Sequence, residues 1–342
     1  MISVGVIGYG YWGPNLARNF AELDETELRA VSDLSESRLA LARRRFPACR
    51  TSADHRDILR DPAIDAVAVA TPVSTHYALT MAALAPGKHV LVTKPMAASS
   101  EQAARMRDEA ARSGRVLMVD HTFCYTGAVG CIRDLIRNGE LGDILYYDSV
   151  RVNLGMFHHD VDVIWDLAVH DLSIMDHVLP ARPVEVSATG LGHFDGGRED
   201  ISYVTLFFES NMIAHLHVNW MAPVKVRRTL LGGSRKMIVY DDLESSDKVK
   251  VYDRGVSIND DPDRESVYRM LVSYRTGDMW APKLDLTEAL RTECGHFADC
   301  IQNGDTPTTD GAAGLEVVRV LEAASRSMQE RGRPVKLVRD TA

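Results

Sequence analysis

Residues 3–13 read SVGVIGYGYWG. The run Ser3–Ile7 is short, apolar and bounded by glycine, which reads as a strand buried on both faces. It runs into Gly8, Gly10 and Gly13, spaced G-x-G-x-x-G. Pro14 and the helical pattern Leu16, Ala17, Phe20 follow. In that strand-to-helix setting each glycine has a physical task. Gly8 permits a tight turn, Gly10 lets backbone approach a pyrophosphate, and Gly13 allows a helix to pack closely on the sheet. Tyr11 and Trp12 lie inside the loop and join it as candidate cofactor contacts.

The next apolar run, 28–31, ends at Ser32-Asp33, and Asp33 lies 20 residues beyond Gly13. A carboxylate at the end of a second strand accepts hydrogen bonds from the adenine ribose and repels a 2′-phosphate. The motif therefore points to NAD in preference to NADP, with Arg38 as the nearby cation that keeps NADP open. Strands at 66–70, 90–92 and 116–119 alternate with helical patterns at 35–45, 74–84 and 101–113. That alternation predicts a doubly wound parallel sheet over residues 1–121, a Rossmann domain. Thr71, Pro72, Thr75 and His76 follow the strand at 66–70, where small residues allow a cofactor to come close. His76 reads equally as a cofactor contact or as a histidine at a helix start.

Residues 88–97, KHVLVTKPMA, place Thr93 and Lys94 at a strand end. Pro95 has no N–H for a ladder and stops the strand. Ligands of open α/β sheets sit beyond the carboxyl ends of the strands, so Lys94 is expected where cofactor or substrate would lie.

After His121 the pattern changes. A helical stretch at 128–138 precedes alternating runs at 144–153, 185–190, 202–208, 212–220, 227–232 and 236–241. These predict a large, mostly antiparallel open sheet with one covered face, in an α+β domain spanning 122–342. Residues 242–282 read as strands plus loops, and 311–331 as an amphipathic helix. In VIWDLAVHDL, 163–172, helical spacing puts Asp166 and His170 on one face. A carboxylate beside an imidazole orients it for acid–base work; the plainer reading is a surface ion pair. His158 and His159 fit no helical metal pair with His170, so no metal is expected.

The chain has 342 residues and a formal net charge of −9. That charge gives no footing for nucleic acid, which selects basic patches. The beginning, MISVGVIG, lacks a basic signal-peptide region, and no apolar run reaches spanning length. The expectation is a cytoplasmic protein with no membrane partner. Five cysteines without a C-x-x-C pair fit reduced thiols.

The glycine loop, the Lys-Pro after a later strand and Asp-x-x-x-His in a second domain together resemble the Gfo/Idh/MocA family of glucose–fructose oxidoreductases and inositol dehydrogenases. The resemblance runs through nearly the whole chain, including LRTECGHFADCIQNGDTPTTDGAAGLEVVRVLEAASRS at 290–327. It implies that Lys94 and His170 handle the hydroxyl proton while Asp166 positions substrate and tunes His170. The stretches HTFCYTGAVGCIRDLIRNGELGDILYYDSVRVNLG, 121–155, and DVDVIWDLAVHDLSIMDHVL, 160–179, look like a branch acting on amino-sugars and nucleotide sugars. Such a branch oxidises a ring hydroxyl, commonly at carbon 3, to a ketone that an aminotransferase then uses. By this resemblance His121, Tyr125, Arg151, Asn153 and Trp165 face the sugar. Arg151 either pairs a diphosphate or carboxylate or simply sits in the sheet. Two positions depart from the pattern: Thr93 stands where the family usually has glutamate, and Val169 where the branch often has proline. The first bears on the pKa of Lys94 and on reaction direction. The alternatives are a keto-sugar reductase using the same residues in reverse and a cofactor-binding regulatory protein without catalysis. An open sheet of this size is expected to be covered in a homodimer or homotetramer.

Overall fold

The computed structural model describes residues 1–155, 161–194, 198–258, 272–275 and 277–338. His158 and His159 lie outside the described residues. Along the chain come β1 (Ile2–Ile7), α1 (Gly13–Glu22), β2 (Thr26–Ser32), α2 (Glu36–Arg45), β3 (Arg50–Ser52), α3 (Arg56–Leu59), β4 (Ala66–Val69), α4 (Val73–Leu84), β5 (His89–Thr93), α5 (Ser100–Ser113) and β6 (Leu117–Asp120). After a 3₁₀ turn, Thr122–Tyr125, follow α6 (Gly127–Arg137), β7 (Ile144–Leu154), a π-helical turn at Ile164–Ala168, α7 (Val169–Val178), β8 (Glu185–Leu191), β9 (Ile201–Phe207), β10 (Ile213–Asn219), β11 (Met221–Gly233), β12 (Met237–Asp241) and β13 (Val249–Tyr252). The chain ends with β14 (Gly255–Ile258), β15 (Val272–Arg275), β16 (Met279–Trp280), α8 (Ala289–Asn303), α9 (Gly311–Gln329) and β17 (Val335–Lys336).

Two compact units result: residues 1–126 with 286–322, and residues 127–285 with 323–342. The first holds a six-stranded sheet in the order β3-β2-β1-β4-β5-β6, all pairs parallel. This is the doubly wound order whose switch point falls between β1 and β4. The central strand β4 is buried throughout, Ala66–Val69. Continuous apolar runs suit strands covered on both faces.

The first unit also contains an element that sequence periodicity leaves unread. Helix α8 buries Leu290, Cys294 and Phe297 with Leu16, Ala17, Phe20 and Leu23 of the α1 region. Phe20 and Phe297 meet edge to face, with ring centroids 6.3 Å apart. Residues 309–310 then bind the open edge of β6: Val119 N–H donates to the Thr309 carbonyl at 2.8 Å. Pairing blunts a strand edge that would otherwise be free. The expected division into 1–121 and 122–342 is thus interrupted by segment 286–322, because its apolar face completes the N-terminal core.

The second unit is built on a nine-stranded sheet in the order β16-β13-β12-β11-β7-β10-β9-β8-β17. Every pair is antiparallel except β10 with β7. Alternation is clear in β10, where Ala214, Leu216 and Val218 are fully buried while Ile213 is exposed. A separate hairpin pairs β14 with β15. No disulfide joins any of the five cysteines. No helix among the described residues is long and apolar enough to cross a membrane.

Candidate functional site

In the first unit the glycine loop has the geometry its spacing predicts. Gly8 has φ +96°, a conformation side chains disfavour, and a Cβ there would collide with the Ala70 carbonyl. A Cβ on Gly13 would collide with the Gly8 carbonyl. Helix α1 begins at Gly13 with proline in its first turn and no acidic residue there. Its N-terminal N–H groups and positive dipole are therefore available to an anion. Tyr11 stands exposed at the loop tip, its ring centroid 6.4 Å from that of Trp12.

Asp33 ends β2 as expected and is buried. Its Oδ2 accepts the Tyr9 N–H at 2.7 Å and its Oδ1 the Ser35 N–H at 2.8 Å. The carboxylate is thus held rigidly beside the glycine loop. Arg38 pairs with it at 3.6 Å and extends over Gly10. At the end of β4 the hydroxyls of Thr71 and Thr75 are 2.7 Å apart, and Thr75 also donates to the Pro72 carbonyl.

Of the two readings of His76, its contacts favour the histidine at a helix start. It is buried, and its Nδ1 and Nε2 each lie 2.8 Å from a backbone carbonyl, of Pro95 and Thr71 respectively. Carbonyls only accept, so a singly protonated ring donates to one of them and the imidazolium satisfies both. The ring nitrogens face the protein rather than a cofactor. They bridge the turn after Lys94 to the end of β4. Thr93 Oγ1 is 3.3 Å from the same Nε2. Lys94 follows, half-buried, joined to Pro95 by a cis peptide.

His121 lies just beyond β6 and is buried. Neither ring nitrogen has a partner among the described residues. Burial, aided by the charge of Lys94, lowers its pKa to about 3, so the ring is neutral at pH 7. A neutral imidazole presents one donor and one acceptor. Tyr125 departs from the expected sugar contact. Its hydroxyl bonds Thr309 Oγ1 at 3.1 Å and its ring packs 5.6 Å from that of His296. It belongs to the core rather than to a sugar site.

In the second unit, Asp162 caps the helical segment, accepting the N–H groups of Ile164 at 3.0 Å and Trp165 at 3.1 Å. The turn that follows is π-helical, with the Val169 N–H returning to the Ile164 carbonyl. The sequence predicts α-helical spacing here; instead α geometry starts only at Val169. A π turn inserts a residue into the helix, a feature frequent at functional sites. Asp166 lies in this wide turn and His170 in the first α turn, both half-buried. Asp166 Oδ2 accepts the indole N–H of Trp220 at 3.1 Å. Trp165 donates its own indole N–H to Ser325 at 2.9 Å, which occupies its polar end.

Arg151 follows the second of its two readings, a residue that sits in the sheet. Its guanidinium is buried and paired with Asp171, Nε to Oδ2 at 2.7 Å and Nη2 to Oδ1 at 3.1 Å. Ser149 adds a 2.9 Å hydrogen bond to the same carboxylate. A bidentate fork engaged inside the protein is not presented to a diphosphate. Its role is to fix α7, the helix of His170, to the sheet. Asn153 lies two residues farther along β7 on the same side and is half-buried. Among the described residues, no cluster of three or more His, Cys, Asp or Glu is arranged for a metal.

Residues 2–121 match the family model described as an oxidoreductase family with NAD-binding Rossmann fold. Residues 133–337 match its C-terminal alpha/beta domain. The chain is 26% identical over 346 residues to an NADP-dependent scyllo-inositol 2-dehydrogenase of Bacillus subtilis, covering 96% of this chain and 94% of that one. It is 27% identical over 254 residues to the UDP-N-acetylglucosamine 3-dehydrogenase of Acidithiobacillus ferrooxidans, covering 73% and 77%. A crystal structure of the latter enzyme superposes with a TM-score of 0.79 at 24% identity, covering 96% of this chain and 98% of that one. At that identity the superposition speaks for the fold.

Proposed function

Because the chain belongs to the Gfo/Idh/MocA family of oxidoreductases, we propose that it oxidises a ring secondary hydroxyl of a sugar, with NAD as hydride acceptor. The reading goes further, to carbon 3 of a nucleotide sugar or an aminoglycoside-type amino-sugar, giving a ketone ready for transamination. The observation that carries it is the position of Lys94, at the carboxyl end of β5 in the unit that holds the dinucleotide loop. Relatives that act on inositols and on UDP-N-acetylglucosamine support the substrate class.

The glycine loop fits a dinucleotide, since no side chain fits at Gly8 or Gly13 and the first turn of α1 is free of acidic residues. Gly8, Gly10 and Gly13 with the α1 N-terminus would hold the pyrophosphate. Asp33 would take the ribose and disfavour a 2′-phosphate, which supports NAD over NADP. When bound, the nicotinamide supplies the hydride acceptor. Lys94 or His170 takes the hydroxyl proton, Asp166 orients His170, and neutral His121 offers a donor and an acceptor to the sugar.

Absorbance at 340 nm tests this directly, with NAD or NADP against UDP-N-acetylhexosamines, their uronic acids and free aminoglycosides. The expected result is a rise with NAD and one sugar class. NADH consumption with a keto-sugar and silence in the forward assay would replace this reading with the reductase. The uncovered side of the second sheet, with Ile213 and Tyr203 exposed, supports a homodimer or homotetramer; a monomer by light scattering would contradict that.

A further inference from the structure

Trp12 occupies the position just before α1, where serine, threonine, aspartate or asparagine commonly caps a helix. No side chain caps this one. The indole N–H instead donates to Oδ2 of Asp120, the last residue of β6. In the parallel sheet β4 and β5 lie between β1 and β6, so the bond ties the glycine loop to a strand three places away. Asp120 is 3% exposed, and its Oδ1 accepts the Thr122 hydroxyl at 2.5 Å. We propose that Asp120 is a positioning residue for the cofactor: through Trp12 it fixes the end of the glycine loop and the start of α1, where the pyrophosphate is received.

A capped helix gives one of its first N–H groups to its own cap residue. An uncapped one keeps them for an anion, and the loop before it then needs another hold. Two anchors supply that hold here. At the beginning of the loop the Tyr9 N–H donates to Asp33 Oδ2 at 2.7 Å. At its end Trp12 is fastened to Asp120. Between them lie Gly10 and the exposed Tyr11. Because its N–H is engaged inside the protein, Trp12 acts on the cofactor by holding backbone in place rather than by donating to a phosphate. The buried position of Asp120 keeps water from readily replacing it as acceptor.

The same end of the molecule is braced by the segment that completes the N-terminal core. Helix α8 sets the fully buried Glu293 beside Asp120. Burial and the neighbouring Asp120 push this carboxyl well above the usual carboxylate range, so a second charge is not forced into the site. Just before α8, Glu288 accepts a 3.0 Å hydrogen bond from Arg18 of α1, and Phe297 meets Phe20. Helix α1 is thus held at its start by Trp12 and Asp120 and along its length by α8. Residues 286–322 bear on the cofactor loop although they are remote from it in sequence.

The proposal rests on the glycine loop holding the dinucleotide, and its test reads binding rather than turnover. NADH and NADPH are titrated by fluorescence against the parent, Trp12→Phe, Asp120→Leu, the double variant and Asp120→Asn. Trp12→Phe keeps a ring and loses the donor; Asp120→Leu keeps the bulk and loses the acceptor. Each is expected to weaken binding about tenfold, because the ligand must then order the loop itself. The double variant is expected to match the single ones, since all three remove the same bond. Asp120→Asn keeps an acceptor oxygen and is expected within about threefold of the parent. A merely structural role would make the two losses add and would show no such rescue. Additive losses, or a Trp12→Phe protein that binds like the parent, would overturn the proposal while the parent's own affinity upholds the loop as the dinucleotide site. A parent that binds neither nucleotide would overturn both. If Asp120→Leu fails to fold, Trp12→Phe and Asp120→Asn decide: weakening in the first without the second supports the proposal, and no weakening in the first overturns it.

Discussion

The indole N–H of Trp220 donates a 3.1 Å hydrogen bond to Oδ2 of Asp166. Trp220 is 2% exposed and sits between β10 and β11, so the sheet itself holds the carboxylate in the π-helical turn. Replacing the indole by phenylalanine keeps much of the packing and removes the donor. Trp220→Phe is expected to lower kcat about ten- to a hundredfold, the scale of a small misplacement of a reacting group. Steady-state kinetics beside a thermal melt check this. An unchanged kcat would show that Asp166 needs no such support.

Arg151 and Asp171 form the buried ion pair that fixes α7. Arg151→Met leaves a buried carboxylate uncompensated, and the expected cost is about 3–5 kcal/mol. The double variant Arg151→Met, Asp171→Leu removes both charges and is expected to recover much of that loss. Urea denaturation of the three proteins measures it. A single variant within 1 kcal/mol of the parent (about the worth of an exposed pair) would contradict the burial argument.

Asp162 makes stability depend on pH in an unusual direction for a carboxylate. Burial raises its pKa to about 6, with Glu199 adding to the effect and the capped N–H groups opposing it. The folded protein therefore holds this proton more tightly than the unfolded chain. Its contribution is complete below the unfolded pKa near 3.8 and is lost as pH rises through about 6. A shift of this size is worth up to about 3 kcal/mol. Asp162→Asn still caps the helix and does not ionise. Its denaturation midpoint is expected to gain on the parent between pH 4 and 7. A constant difference across that range would contradict the assignment.

Gly13→Ala puts a methyl against the Gly8 carbonyl. Fluorescence titration with NADH is expected to show binding lost or weakened at least a hundredfold. Gly130 is the control: it lies within α6 with nothing near its Cβ position. Gly130→Ala is expected to raise stability by about 0.4–1 kcal/mol and leave binding alone.

The parallel sheet is legible in the sequence because its signals are local. Buried runs end in glycine or proline, and Asp33 and Lys94 fall at strand ends for that reason. Helix α8 is not legible in the same way, since its apolar face reveals its target only when Phe297 meets Phe20. Arg151 shows the limit for charged residues. A lone arginine on a strand looks like a ligand contact until the chain brings Asp171 beside it from 20 residues away. The partners of His76 and Tyr125 are hidden likewise, because the Pro95 and Thr309 groups that engage them are distant in sequence. Length and hydropathy cannot reveal the π turn either, since a single inserted residue leaves the helical pattern of 163–172 intact.

The most direct measurement compares the parent with Lys94→Ala in two assays, NADH binding by fluorescence and sugar-dependent reduction of NAD at 340 nm. The side chain of Lys94 is not part of the glycine loop, so binding is expected within a fewfold of the parent. Turnover is expected to fall by at least about a thousandfold, within the range for losing a proton-handling group. A Lys94→Ala enzyme that keeps most of its turnover would contradict the assignment of the hydroxyl proton to Lys94.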